Sequence, residues 1–445
     1  KLVLLGDEAI GQAAIDAGLS AIYAYPGTPS TEINEYVMAS KEAKEGKIVA
    51  SWTANEKTAV ESALGVSYSG KRSMACMKHV GLNVAADAFI NSAITGVNGG
   101  MIVVSADDPS MHSSQNEQDS RFYGKFAMLP ILEPSNQQEA YDMMHYGFDL
   151  SEKFRVPVLF RITTRLAHSR SGIERKAMRN QNPLSLPDNM KQYVLLPAIA
   201  RKRYQVLLSI QDALEEESEN SGNNVYIDGH DKSLGIITTG LAFNYLMENF
   251  PDREVPHPIL KITQYPLPQK MMQKIVSECK EILVIEEGMP VVEEMLKGIL
   301  NHDIKIKGRL DGSLPRSGEL NPNLVAVALG KPMIKGDDVP SLIVGRPPSL
   351  CEGCPHTDSY LALNEAMTEY GKGRVFSDIG CYTLAALPPL EAINSCVDMG
   401  ASITMARGAA DAGLLPAVAV IGDSTFTHSG MTGLLDAVIA NSPIT

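Results

Sequence analysis

The sequence predicts an α/β protein of three doubly wound α/β domains. Three observations lead there. Short apolar runs alternate with helix-length stretches along most of the chain, the signature of parallel βα units. The runs end in loops rich in Gly, Pro, Ser and Thr, as at Pro26-Gly27-Thr28-Pro29-Ser30. The run Leu415 to Ile421 is apolar almost throughout, as a strand buried on both faces must be, and it closes on Gly422-Asp423-Ser424.

In chain order, Leu2 to Leu5 reads as a short strand or lead-in, Asp7 to Ala17 as a helix stopped by Gly18, and Ser20 to Tyr25 as a strand broken at Pro26. Helices then follow at Pro29 to Ala39, Glu56 to Tyr68 and Leu82 to Thr95, with strands at Ile48 to Trp52, Ser73 to Met77 and Met101 to Ser105. A helix from Gln138 to Phe154 and a strand from Pro157 to Ile162 finish a first domain, residues 1–170. Residues 171–232, with scattered charge and the run Glu215-Glu216-Glu217, are an excursion and linker carrying one helix, Arg203 to Glu217. A second series spans residues 233–311, with strands at Leu234 to Thr239, Ile259 to Ile262 and Glu281 to Glu286 and helices at Ala242 to Asn249, Gln269 to Cys279 and Val291 to Leu300. Residues 312–349 are a polar linker, and residues 350–445 form the third domain, with strands at Arg374 to Ser377 and Ala417 to Ile421 and helices at Ala401 to Ala412 and Thr432 to Ala440.

Net charge −13 over 445 residues argues against a nucleic-acid-binding surface, which requires an excess of Lys and Arg. No apolar run approaches about 18 residues and no signal peptide leads the chain, so a soluble, cytoplasmic protein without membrane contact is expected. Six cysteines are too few for a disulfide scaffold; Cys76 and Cys279 fall in apolar patterns and read as core, and Cys396 reads as a packing residue.

The chemistry-bearing residues lie where α/β sheets bind ligands, just after strands. Gly422-Asp423 pairs a close-approach backbone with a hard carboxylate suited to Mg2+ and a diphosphate. Glu56 opens a helix of small residues, where a carboxylate serves either as a favourable end charge or as a general acid/base. His79, on a loop after a strand, and His428, a few residues past the Gly-Asp-Ser turn, could move protons or contact substrate, while Lys78 could bind an anion but reads rather as solvent-facing.

These segments together resemble the 2-oxoacid:ferredoxin oxidoreductases, a family of thiamine-diphosphate (TPP) enzymes, and within it the large subunits of the indolepyruvate type. The likeness rests on Tyr25-Pro26-Gly27-Thr28-Pro29-Ser30, on Glu56 standing 25 residues before Gly81, and on Lys78-His79-Val80-Gly81-Leu82-Asn83. It extends through Leu350-Cys351-Glu352-Gly353-Cys354-Pro355-His356, Asp378-Ile379-Gly380-Cys381-Tyr382-Thr383, Met399-Gly400-Ala401-Ser402 and Gly422-Asp423-Ser424-Thr425-Phe426. The resemblance implies a pyrimidine-binding first domain, a transketolase C-terminal-like second domain and a diphosphate-binding third. Glu56 would exchange a proton with the cofactor ring, with Thr28 and His79 as further catalytic residues. Gly81, Gly380, Cys381, Gly400, Gly422, Asp423 and Ser424 would surround the cofactor, with Asp423 on Mg2+. In pyruvate and 2-oxoglutarate relatives, cysteines placed like Cys351, Cys354 and Cys381 hold a 4Fe-4S cluster; here that role and the packing of a loop stand side by side. The implied reaction is oxidative decarboxylation of a 2-oxoacid to acyl-CoA, with electrons passing to ferredoxin through 4Fe-4S clusters. The implied assembly is a homodimer of this chain within a heterotetramer that includes a smaller gamma-type subunit. The loop Ser105-Ala106-Asp107-Asp108-Pro109 has acids where pyruvate-using members usually have an Arg, which favours aryl 2-oxoacids. A non-oxidative TPP decarboxylase and a non-catalytic scaffold are the alternatives. Ile444-Thr445 reads as the start of another buried strand, so the Asn that closes the Mg2+ motif, any fourth cluster cysteine and most of the clusters are expected beyond Thr445.

Overall fold

The computed structural model describes residues 1–187, 189–298, 304–336, 338–345 and 349–445. The chain divides into two compact units, Lys1–Lys335 and Gly336–Thr445, the division falling within the polar stretch 312–349.

The strands of the first unit's opening half are β1 (Leu2–Leu5), β2 (Ala21–Ala24), β3 (Val49–Trp52), β4 (Ser73–Lys78), β5 (Met101–Asp107), β6 (Ile131–Leu132), β7 (Val158–Thr163) and β8 (Arg170–Ile173). Those of its later half are β9 (Val225–Ile227), β10 (Leu234–Thr239), β11 (Ile259–Ile262), β12 (Gln264–Tyr265), β13 (Glu281–Ile285) and β14 (Lys305–Lys307). A seven-stranded sheet has the order β12-β6-β7-β5-β4-β2-β3, and every pairing but β12 with β6 is parallel. All residues of β4 and β5 are buried, and their side chains divide by twos between the faces. Met74, Cys76, Ile102 and Val104 join one apolar cluster; Ala75, Met77, Met101 and Val103 join the other. A five-stranded sheet, β14-β13-β10-β11-β9, is parallel except for β9.

Several elements differ from the sequence expectation. The Leu2 strand pairs antiparallel with β8 in a ribbon of its own and stays out of the seven-stranded sheet. The expected helix Arg203 to Glu217 is two helices, Pro197–Ser209 and Gln211–Asn220, broken at Ile210. The helix expected from Leu82 begins at His79 and is interrupted at Ala85, giving His79–Val84 and Ala86–Thr95. The helix expected from Val291 covers Val291–Lys297; its expected end at Leu300 lies outside the described residues. Two-residue strands such as β6 and β12 carry too short a pattern to be read locally; tertiary pairing alone makes them.

Buried ion pairs join the two sheets. Arg161 on β7 is fully buried and donates to Asp107 (2.6 Å), to Glu133 and to the Glu287 carbonyl (3.0 Å). Arg121, equally buried, donates to Asp119 and to Glu286 Oε2 (3.0 Å). Burial opposes ionisation of Asp119, but these two guanidinium groups hold it down at about 2.

The second unit holds β15 (Val375–Ser377), β16 (Ser395–Cys396) and β17 (Val418–Val420), a parallel sheet of order β16-β15-β17. Ile444 bridges Ala417 in parallel, and Thr445 exchanges hydrogen bonds with Ala417 and Ala419 at 3.1 and 2.7 Å, the strand-like placement expected of these last residues. The chain leaves β15 towards β16 on one side and leaves β17 towards Ile444 on the other, so the carboxyl ends of β15 and β17 form a topological switch point.

Candidate active site

In the first unit the ligand-facing groups gather at the carboxyl ends of β2, β3 and β4. Asn55 caps the Glu56–Tyr68 helix, its side chain accepting from the Thr58 N–H at 2.9 Å. Glu56 is therefore not the cap, and its side chain is buried. A Cβ placed on Gly81 would stand 2.5 Å from Glu56 Cγ and 2.6 Å from its Oε1, so only a glycine in the His79–Val84 helix leaves room for this carboxyl group. The fixed spacing of Glu56 and Gly81 in the sequence thus becomes direct apposition.

His79 lies at the first turn of that short helix, not on a loop, and is buried. Its Nε2 lies 3.2 Å from the Asn116 carbonyl, which can only accept, so Nε2 carries the proton. Nδ1 is buried and without a hydrogen-bond partner among the described residues. Lys78 corrects the sequence reading. It is buried, and its Nζ donates to the Ser113 carbonyl (2.7 Å) and Oγ (3.2 Å). Burial lowers its pKa, with Asp108 opposing. Ser113 in turn donates to the Thr28 carbonyl at 3.2 Å, and Gly27 packs against the Lys78 side chain. The loop from Ser113 to Asn116 thereby ties Thr28, which is exposed, to Lys78 and His79.

Asp107 and Asp108 turn inward. Asp107 pairs with Arg161, and Asp108 accepts from the Ser113 N–H (2.8 Å), Ser114 Oγ (2.6 Å) and Thr164 Oγ1 (2.8 Å). Both acids brace the loop.

In the second unit the same logic is built around Asp378, a fully buried residue just past β15. Its carboxylate accepts from the Gly400 N–H and from the Ser402 N–H (3.0 Å), capping the Ala401–Asp411 helix. Gly400 has φ +100° and abuts Ser429, where a Cβ would be 2.7 Å from the serine Cβ. Tyr382 fills the space left by two further glycines: Cβ atoms on Gly380 and Gly422 would lie 2.2 and 2.8 Å from its Cε1, and its hydroxyl accepts from Gly422 N–H at 3.0 Å. Asp423 and Ser424 begin a helical turn directly after these residues and are exposed, with Asp423 Oδ1 accepting from the Ser424 N–H at 2.8 Å. His428 is buried, its Nδ1 2.6 Å from Ser429 Oγ.

Against this geometry, the model of the family "Pyruvate flavodoxin/ferredoxin oxidoreductase, thiamine diP-bdg" matches residues 12–202, and that of "Thiamine pyrophosphate enzyme, C-terminal TPP binding domain" matches residues 378–445. The indolepyruvate oxidoreductase subunit IorA of Archaeoglobus fulgidus is 40% identical over 98% of this chain and 73% of its own length. The IorA subunit of Pyrococcus abyssi is 38% identical over 100% of this chain and 73% of its own. The chain belongs to the IorA family. A solved 2-oxoglutarate:ferredoxin oxidoreductase from Magnetococcus marinus shares the fold at a TM-score of 0.59 and 16% identity, covering 74% of this chain and 64% of that one.

The candidate cofactor ligands of this IorA-family chain include both a carboxylate and thiols. The exposed carboxylate of Asp423, beside Gly422 at a strand end, suits a hard cation. Two of the three thiols expected at a cluster approach one histidine. Cys351 and Cys381 are exposed and Cys354 is partly buried. Cys354 and Cys381 approach His356 Nδ1 at 3.4 and 3.7 Å. Cys76 and Cys279 are buried as expected, whereas Cys396, expected to pack, is exposed, its thiol 3.6 Å from the Asp378 carbonyl. Asp378, Tyr382 and the Ser113 to Asn116 loop were not singled out from sequence. Asp378 and Tyr382 stand within a recognised segment, but their service is to neighbours distant in the chain. No helix among the described residues is long and apolar enough to cross a membrane.

Proposed function

We propose that this chain is the TPP-binding large subunit of an enzyme that oxidatively decarboxylates aryl 2-oxoacids of the indolepyruvate and phenylpyruvate type. The 2-oxoacid and CoA yield acyl-CoA, CO2, one proton and two electrons, and the electrons pass to ferredoxin. The observation that carries this reading is 37–41% identity to IorA subunits over at least 98% of the chain. The enclosed Glu56 carboxyl against Gly81 supports it, because a proton-exchanging group is most useful where neighbours fix its position.

TPP, when bound, supplies the electron sink for decarboxylation. Glu56 holds and exchanges a proton at its carboxyl group. His79, with Nε2–H committed to Asn116, offers Nδ1 as an acceptor. Thr28 stands exposed on a loop that Ser113 and Lys78 hold in place. Asp423 would hold Mg2+, and Gly422, Ser424, Gly380, Cys381 and Gly400 frame the same strand ends. The assembly proposed is a homodimer of this chain with a smaller subunit in a heterotetramer.

The test is a 2-oxoacid panel with CoA and a viologen dye on the anaerobically purified enzyme with its partner subunit. Indolepyruvate and phenylpyruvate should outpace pyruvate in TPP-dependent dye reduction. Equal turnover of pyruvate would remove the aryl assignment. Aldehyde release without dye reduction would replace the oxidative reaction by simple decarboxylation.

A further inference from the structure

On the first unit, Asp7, Glu32 and His168 converge so that one ligand atom from each lies within 4.8 Å of the others. Three elements bring them together. Asp7 is in the first turn of the Gly6–Asp16 helix, Glu32 in the first turn of the Thr31–Ala39 helix and His168 at the end of the Thr164–His168 helix. Gly6 permits the approach: a Cβ there would be 2.2 Å from the Leu166 carbonyl oxygen, so the last helix seats directly on the first.

The polar atoms at this junction face chiefly one another. Asp7 is fully buried and its carboxyl faces that of Glu32, burial and this second acid both opposing its ionisation; no N–H or hydroxyl of a described residue donates to either Asp7 oxygen or to Glu32 Oε2. His168 Nε2 stands 3.7 Å from Glu32 Oε2, a spacing found between two ligands of one ion rather than between a hydrogen-bonded pair. The imidazole and the Glu32 side chain are about one third exposed, so the site is closed at Asp7 and open to solvent at the other two ligands. Bare carboxylates buried in this way require neutralisation, by a proton or by a cation.

We propose that Asp7, Glu32 and His168 form a site for a divalent first-row transition metal of the Zn2+ type. Two carboxylates balance its charge, the imidazole selects it over Mg2+ and Ca2+, which prefer all-oxygen shells, and the open side admits water as a fourth ligand. The ion would clasp the helix that follows the Thr28 loop to the amino-terminal helix.

The test uses the intact protein, freed of TPP and metals by chelation, then given Zn2+ alone and dialysed. Bound zinc is counted by elemental mass spectrometry and its shell read at the zinc absorption edge. Wild-type protein should retain a zinc ion whose first shell is nitrogen and oxygen, and that ion should raise the melting temperature. His168→Ala, a change at a partly exposed side chain, should weaken its binding by about 100-fold or more and abolish the melting shift. Glu32→Gln should do the same, while Cys354→Ser, which removes a competing thiol, should leave the ion in place. Retention of the nitrogen and oxygen shell in His168→Ala, or a shell of sulfur only, would overturn the proposal. So would Asp7→Asn raising the melting temperature in a protein that Zn2+ does not stabilise, since the two carboxyls would then share a proton.

Discussion

Gly81→Ala is the sharpest perturbation of the proposed acid/base group, because it adds one carbon and touches it directly. The backbone at Gly81 is helical, and in an unobstructed helix Ala would be favoured by about 1 kcal/mol. Here the new Cβ would meet Glu56 Cγ at 2.5 Å, Oε1 at 2.6 Å and Cδ at 2.8 Å. Ordinary contact begins at 3.4 Å, so the carboxyl group must retreat by roughly 1 Å. Overpacking of this size costs about 1–3 kcal/mol, which the propensity gain partly offsets, so the variant should fold with stability reduced by about 2 kcal/mol or less. Catalysis should suffer more. A displacement of about 1 Å at a positioned group costs on the order of 100-fold in rate, or about 2.7 kcal/mol of barrier. The assay is steady-state dye reduction at saturating TPP and CoA, run alongside Glu56→Gln and the double variant. Glu56→Gln keeps the shape and much of the hydrogen bonding, so it should bind TPP and lose most of its turnover. In that background Gly81→Ala should add little, because the group it displaces is already inert. A folded Gly81→Ala enzyme with wild-type kcat, or a double variant whose losses simply multiply, would refute the assignment of Glu56.

Three further outcomes are expected. Asp423→Ala should weaken TPP binding by roughly 10- to 100-fold, the loss of one charged contact of about 1.5–3 kcal/mol, and excess Mg2+ and TPP should restore part of the rate; calorimetric titration measures it. Asp378→Ala, which strips acceptors from the Gly400 and Ser402 N–H groups, should destabilise the second unit by about 3 kcal/mol in denaturant unfolding. Burial raises Glu287 from 4.5 to about 7, so the folded chain retains a proton there that the unfolded chain releases. That contribution to stability is complete below pH 4.5 and is lost as pH rises through about 7. Glu287→Gln should therefore flatten the pH dependence of unfolding across this window by up to about 3 kcal/mol.

Wherever a local pattern carried the information, the sequence was enough. The runs at β4 and β5 are buried on both faces and could be read as strands without neighbours, and the alternation of strand and helix followed from them. The motifs that mark the family are short and contiguous, so Glu56, Gly81 and Asp423 could be named from them. The tertiary structure decided whatever depends on partners far along the chain. Lys78 looks like any lysine after a strand until Ser113 buries it, and Asp107 looks like a loop acid until Arg161 turns it inward. That Gly81 exists for Glu56, Gly422 for Tyr382 and Gly6 for Leu166 is a matter of ångströms between distant segments. The cluster of Asp7, Glu32 and His168 has no sequence signature, since its members come from three helices whose packing alone brings them together. Close packing is non-local: a sequence specifies side-chain volumes and polarity in order along a line, whereas a site is a set of distances across a folded interior.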